Sequence, residues 1–205
     1  MWSTSTLGHN TVVIDETRQY TRGKKGPSDG RLLAFEVAHD GVQWMAASGE
    51  RGYPGLAQKY GRVVMLVQAE GAEVYAVDLF EVAGGSQHDW ALHGSADADG
   101  WVGMDVMMKH FGENLLPGVK VQFPEGEADS GDAEGRNSAY AYFQNVSRGE
   151  VEHGLTMTFT VEHSSVGVRT HVPGQRGAEV FAGDAMSFRR AEENDVLQDK
   201  FRMPI

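Results

Sequence analysis

Between residues 155 and 162 the chain alternates strictly. Leu155, Met157, Phe159 and Val161 fall on one parity, and Thr156, Thr158, Thr160 and Glu162 on the other. A strand turns successive side chains to opposite faces, so this run predicts a strand with one buried and one wet face. Shorter runs rich in Val, Phe, Tyr, Trp and Thr, cut at short intervals by Gly and Pro, predict further strands. They cover residues 9–14, 31–38, 41–47, 62–68, 73–82 and 87–92, then 119–123, 139–145, 167–171 and 178–181. From Val63 to Val67 the apolar run is continuous, which predicts burial on both faces. His39-Asp40-Gly41 reads as a hairpin turn and Gly84-Gly85 as a second turn. Short helices are candidates only over 104–111 and 191–197, and neither carries a long amphipathic repeat.

This pattern predicts an all-β chain: an antiparallel β-sandwich of about ten or more strands with little helix. Residues 17–30, basic and then Gly/Pro-rich, read as an exposed loop. So do residues 124–138, with Glu125, Glu127, Asp129, Asp132 and Glu134 among three glycines; their spacing does not match an EF-hand calcium loop. The first strand starts within ten residues of Met1, and an extended apolar run begins at 200–205. Both features predict a domain truncated at each end.

Composition narrows the function. The chain has 205 residues, 40% of them hydrophobic, enough for a real core. Its net charge of −11 argues against nucleic acid, which needs clustered Lys and Arg. There is no cysteine, which removes disulfides, thiolate metal sites and Cys nucleophiles. No apolar run approaches the roughly 20 residues that span a bilayer, and no signal peptide follows Met1. Neither a Ser-His-Asp order nor a phosphate-binding glycine loop is present.

Candidate chemistry rests on histidines. His88 and His93 stand five apart in Gln87-His88-Asp89-Trp90-Ala91-Leu92-His93-Gly94, which in one extended strand places them on opposite faces, unable to share a metal. Each is either a structural histidine or a ligand-cleft residue. His9 opens the first predicted strand, where a rigid backbone can hold an imidazole in fixed geometry, either as a structural histidine, the favoured role for a lone His, or as a metal donor; Asn10 points to the other face, where its amide can order the preceding turn. Asp78 interrupts an apolar strand and needs a partner, for which Arg62 is the candidate. Trp44, Trp90 and Trp101 are candidates for stacking on sugar rings, although core packing is the favoured role for each.

The string Trp2-Ser3-Thr4-Ser5-Thr6-Leu7-Gly8-His9-Asn10-Thr11-Val12-Val13-Ile14-Asp15 resembles the His-Asn-Thr segment of heparinase II/III-like polysaccharide lyases, and is similar also to oligoalginate lyases. Tyr75 to Val82 with Gly84-Gly85, and then Gln87 to Gly94, look like later blocks of the same family in the same order. The resemblance covers the first hundred or so residues. It implies the C-terminal β-sandwich, of super-sandwich type, of an enzyme whose other domain is an α-helical toroid. Such enzymes act on uronic-acid polysaccharides such as heparan sulfate or alginate by β-elimination: a base takes the C5 proton and an acid protonates the departing oxygen. The catalytic groups come largely from the toroid, so the resemblance assigns none in this chain and implies that residues 1–205 alone are inactive. It implies a zinc held by two His and an Asp, with His9 the ligand that comes last along the chain, the other two before residue 1 and the metal poorly retained here. It implies an acidic polysaccharide and the helical domain as partners, neither nucleic acid nor membrane, and a periplasmic or secreted parent. His88 and His93 are the candidate substrate-binding residues. The competing readings are a non-catalytic carbohydrate-binding or structural β-sandwich module and a small metal-dependent β-barrel enzyme using His88 or His93.

Overall fold

The computed structural model describes residues 5–20, 30–39, 41–69, 71, 73–95, 98–116, 138–174, 177–186 and 202–204. They fall into two compact units. One is continuous, Val12–Trp90; the other is split, joining Met1–Thr11 to Ala91–Ile205. Every strand pairing in both is antiparallel.

The continuous unit holds β1 (Val12–Ile14), β2 (Arg31–His39), β3 (Val42–Ser48), β4 (Lys59–Gln68), β5 (Val74–Ala83) and β6 (His88–Trp90). β1 pairs with β6, and the other four form a sheet in the order β2-β3-β4-β5. Gly41 takes the positive φ (79°) that the predicted hairpin turn between β2 and β3 demands. The core is small: Val12, Ile14, Tyr53 and Tyr60, flanked by Leu56, Ala57, Phe80 and Val82. Both tyrosine hydroxyls donate to the Val12 carbonyl, at 3.4 Å from Tyr53 and 2.5 Å from Tyr60, so their polar ends are satisfied inside apolar packing. The Gly84-Gly85 turn is fixed by sterics as well as by φ (100° and 72°). A Cβ on Gly84 would stand 2.1 Å from the Leu56 carbonyl oxygen, and one on Gly85 2.3 Å from Ile14 Cγ2. The Asp15 carboxylate closes the turn by accepting the Ser86 and Gln87 N–H groups at 2.7 and 2.8 Å. Those two bonds hold its pKa below the ordinary carboxylate value.

The split unit holds β7 (Gly100–Met104), β8 (Lys109–Gly112), α1 (Ser138–Ala141), β9 (Gln144–Val151), β10 (Gly154–Val161), β11 (Gly167–Pro173), β12 (Ala178–Met186) and β13 (Arg202–Pro204). Its two sheets run β11-β10-β7 and β13-β12-β9-β8. Their facing sides share one core of Val151, Leu155, Met157 and Phe159, packed against Val102, Met104, Val106, Val172, Ala178 and Val180. This is a β-sandwich, and the predicted alternation of β10 is its clearest strand: Leu155, Met157 and Phe159 are buried while the threonines between them are not. The segment closes on itself where the Ala91 N–H donates to the Thr11 carbonyl at 2.9 Å.

The structure is all-β and antiparallel, as the pattern predicts, with local departures. Residues 104–111 form a strand end, a turn and β8 rather than a helix, because Val102, Met104 and Val106 reach the core with period two. Residues 139–145 are the short helix α1 followed by the start of β9, since Ala139, Tyr140, Ala141 and Phe143 are all buried, which one strand face cannot achieve. Val63–Val67 is not buried on both faces: Leu66 is 48% exposed and its apolar neighbours are half-buried. The predicted strand 119–123, the helix 191–197 and most of the two predicted loops lie outside the described residues.

Candidate functional site

Residues 5–11 form a compact turn, not the start of a strand, so His9 sits ahead of β1 rather than on it. Ser5, Thr6, Leu7 and Gly8 are buried, and His9 and Asn10 project outward. The Gly8 N–H donates to Ser5 Oγ at 3.1 Å, and the His9 N–H to the Thr6 carbonyl at 3.2 Å. The Asn10 Oδ1 accepts the His93 N–H at 2.8 Å. The His93 ring returns the contact, with Nε2 2.9 Å from the Leu7 carbonyl, a bond that requires the proton on Nε2. His93 is thus a clasp on the His9-Asn10 turn. Burial lowers its pKa to about 4; hydrogen bonds with the Leu7 and His9 backbones oppose that shift and the His9 charge adds to it. The imidazole is neutral at pH 7.

His88 lies elsewhere. It is exposed on β6 in the continuous unit, with Nε2 2.8 Å from the Gly84 carbonyl, tying down the double-glycine turn. The single extended strand expected to carry both His88 and His93 ends at Trp90. The structure therefore brings His9 and His93 together and places His88 in the other unit. Asp78 has the partner expected of it: Arg62 Nε and Nη2 donate to its two oxygens at 2.8 and 2.7 Å, and the same guanidinium lies 4.6 Å over the Phe80 ring. A bidentate, stacked pair of this kind is structural.

Among the described residues no group of three or more His, Asp or Glu is placed to hold a metal ion. His9 offers one outward imidazole, and one donor falls short of a tetrahedral zinc site. In the split unit a surface groove of about 810 Å³ is lined by Asp105, Lys109, His110, Arg148, Glu150 and His153. Its charges are mixed: Arg148 is committed to Glu179, while Lys109 stands directly across the strands from Arg148. Tryptophans divide as well. Trp44 is half-buried, but Trp101 is 56% exposed, so core packing does not hold for it. Sequence reading missed the sheet face that Trp101 shares with Gly103, Arg169 and His171, and the His93 clasp; the threonine parity of β10 was the one available signal for an open polar face there.

No curated protein matches the chain. A family model described as "Heparinase II/III-like, C-terminal" matches residues 1–181, which include the clasped turn, β6 and nearly the whole sandwich. The chain belongs to the heparinase II/III-like family and carries its C-terminal domain, a domain related to polysaccharide lyases.

Proposed function

We propose that this chain is the sheet-domain part of a lyase that cleaves uronic-acid polysaccharide by β-elimination. The observation that carries the reading is the family match over residues 1–181. Abstraction of the C5 proton next to a carboxylate needs a base, an acid on the departing oxygen, and neutralisation of the carboxylate charge. No described constellation of this chain combines these roles, so the proposal assigns them to a helical domain of a longer protein. This chain contributes support: the neutral His93 holds the His9-Asn10 turn, and the turn presents His9 outward. In the longer protein His9 supplies one of three donors to a structural zinc that braces the sheet domain. Exposed His88 is proposed as a substrate-binding residue, and His93 is proposed to serve substrate binding only through the turn that it holds. The family also supports action on polysaccharide outside the cytoplasm, in the periplasm or as a secreted protein. Among the described residues no helix is long and apolar enough to cross a membrane.

The test is the absorbance of the unsaturated product with alginate or heparan oligosaccharides. Residues 1–205 alone are expected to give no turnover, whereas the same chain joined to its helical domain turns over. Turnover by residues 1–205 alone would place the catalytic groups in this chain. Equilibrium dialysis of the longer protein with zinc checks the metal: His9→Ala is expected to lose it, and retention would remove His9 as a ligand.

A second reading, a non-catalytic carbohydrate-binding module, is favoured by the exposed indole of Trp101.

A further inference from the structure

The outer face of the sheet β11-β10-β7 carries a set of side chains that the lyase reading does not use. Residues directly opposite each other on paired strands share a face. Trp101 lies opposite Thr160, and Thr160 opposite Gly167; Gly103 lies opposite Thr158, and Thr158 opposite Arg169; Thr156 lies opposite His171. All of these stand on the side away from Met157 and Phe159, which fill the core. Trp101, Gly103, Arg169 and His171 are exposed. A Cβ on Gly103 would meet nothing within 4 Å, so the floor beside the indole is open. Among the described residues Trp101 has no ring contact, and Arg169 has no ion pair.

We propose that this face is a binding site for an acidic oligosaccharide, with one sugar ring stacked on Trp101 and a uronate carboxylate drawn to Arg169. An indole lying open on a sheet offers a flat apolar platform with polar surroundings, which suits the C–H face of a pyranose. Thr158 and Thr160 supply hydroxyl donors and acceptors between the two anchors. Strand spacing puts Trp101 and Arg169 roughly 12 Å apart, two strands across and two residues along, which is the span of a short oligosaccharide. Charge sets the direction in which the ligand lies. The cation Arg169 is on β11, and His171 lies two residues along the same strand. The carboxylates bordering the face are Asp105, engaged by the Thr156 N–H at 2.8 Å, Glu162, 3.6 Å from His163 Nε2, and Asp99, across from Glu162 at the β7 end. An anionic end is therefore favoured over β11 and a neutral ring face over β7, in a chain whose net charge of −11 disfavours polyanions elsewhere. One fixed cation is too few for a nucleic-acid backbone. A row of threonines is too polar for the core of a stable protein interface.

The choice of a uronate ligand rests on the lyase reading; the binding is read on residues 1–205 without turnover, so the two fail separately. The experiment follows the Trp101 indole N–H and the Thr158 and Thr160 amides by NMR. The probes are a mannuronate trisaccharide and neutral cellotriose. A saturable shift with the mannuronate alone is expected. Trp101→Ala should weaken binding by about tenfold or more. Arg169→Gln should weaken it less and flatten its salt dependence. Gly103→Leu fills open space, so the fold should be kept while binding is lost; it decides the matter if Trp101→Ala fails to fold. No shift at millimolar mannuronate, equal shifts with cellotriose, or binding that survives Gly103→Leu would overturn the proposal.

Discussion

The sheet β11-β10-β7 and the sheet β2-β3-β4-β5 are both antiparallel and both rich in apolar residues, yet they sort their faces differently. In the first, parity decides everything: Phe159 is 5% exposed, and the threonines face outward. In the second, Leu32, Phe35, Met45, Leu66 and Val74 lie on one face by register and are all exposed, Phe35 at 64%. Alternation reports burial only where a second layer is present to receive the apolar side. The sandwich of the split unit has that layer in β13-β12-β9-β8. The four-stranded sheet is buried chiefly at one end, where Tyr60, Phe80 and Val82 meet Val12, Ile14 and Tyr53.

A pair of truncations should separate the two sheets most strongly. Phe159→Ala should cost about 3–5 kcal/mol in urea denaturation, the range for emptying an aromatic site in a packed core. Phe35→Ala should change stability by less than about 0.5 kcal/mol. Comparable costs at the two sites would break the contrast and show that the face bearing Phe35 is covered in solution.

Acid should separate the units next. His93 belongs to the split unit, and its folded pKa of about 4 lies below the ordinary value of 6.5. Below pH 6.5 the unfolded chain takes up a proton that the folded ring refuses. Stability is thus fully present above pH 6.5 and falls as pH drops toward about 4, by about 3 kcal/mol in all. Amide exchange measured across this window should show Leu155–Phe159 losing protection before Tyr60–Arg62 does. In His93→Gln that pH dependence should disappear; if it persists, another group is responsible.

The smallest effect lies in the continuous unit. Tyr60→Phe removes the hydroxyl bonded to the Val12 carbonyl at 2.5 Å. Because Tyr53 also reaches that carbonyl, the loss should be about 1 kcal/mol, read as a shift of the urea midpoint with an unchanged slope.

How far the sequence reached follows the same division. The strands whose signal was local were legible: β10 from its threonine parity, β2 and β3 from the Asp-Gly corner, and the Arg62–Asp78 pair from a charge stranded in an apolar run. β7 was missed because Gly100 and Gly103 weaken any strand pattern, and α1 because three buried residues in a row, Ala139 to Ala141, come from packing, not periodicity. At the candidate site, His9 and His93 could be named as residues but not as neighbours. Their contact runs from Leu7 to His93, 86 residues apart, and no local pattern encodes it.

The bond between the Thr11 carbonyl and the Ala91 N–H has a consequence for how this domain can be taken apart. The chain leaves the split unit at Thr11 and re-enters it at Ala91, with backbone atoms 2.9 Å apart. In genetic terms, Val12–Trp90 is a cassette spliced into a sandwich whose cut ends already touch. A bridge of a few glycines from Thr11 to Ala91 would restore an uninterrupted reading of that sandwich.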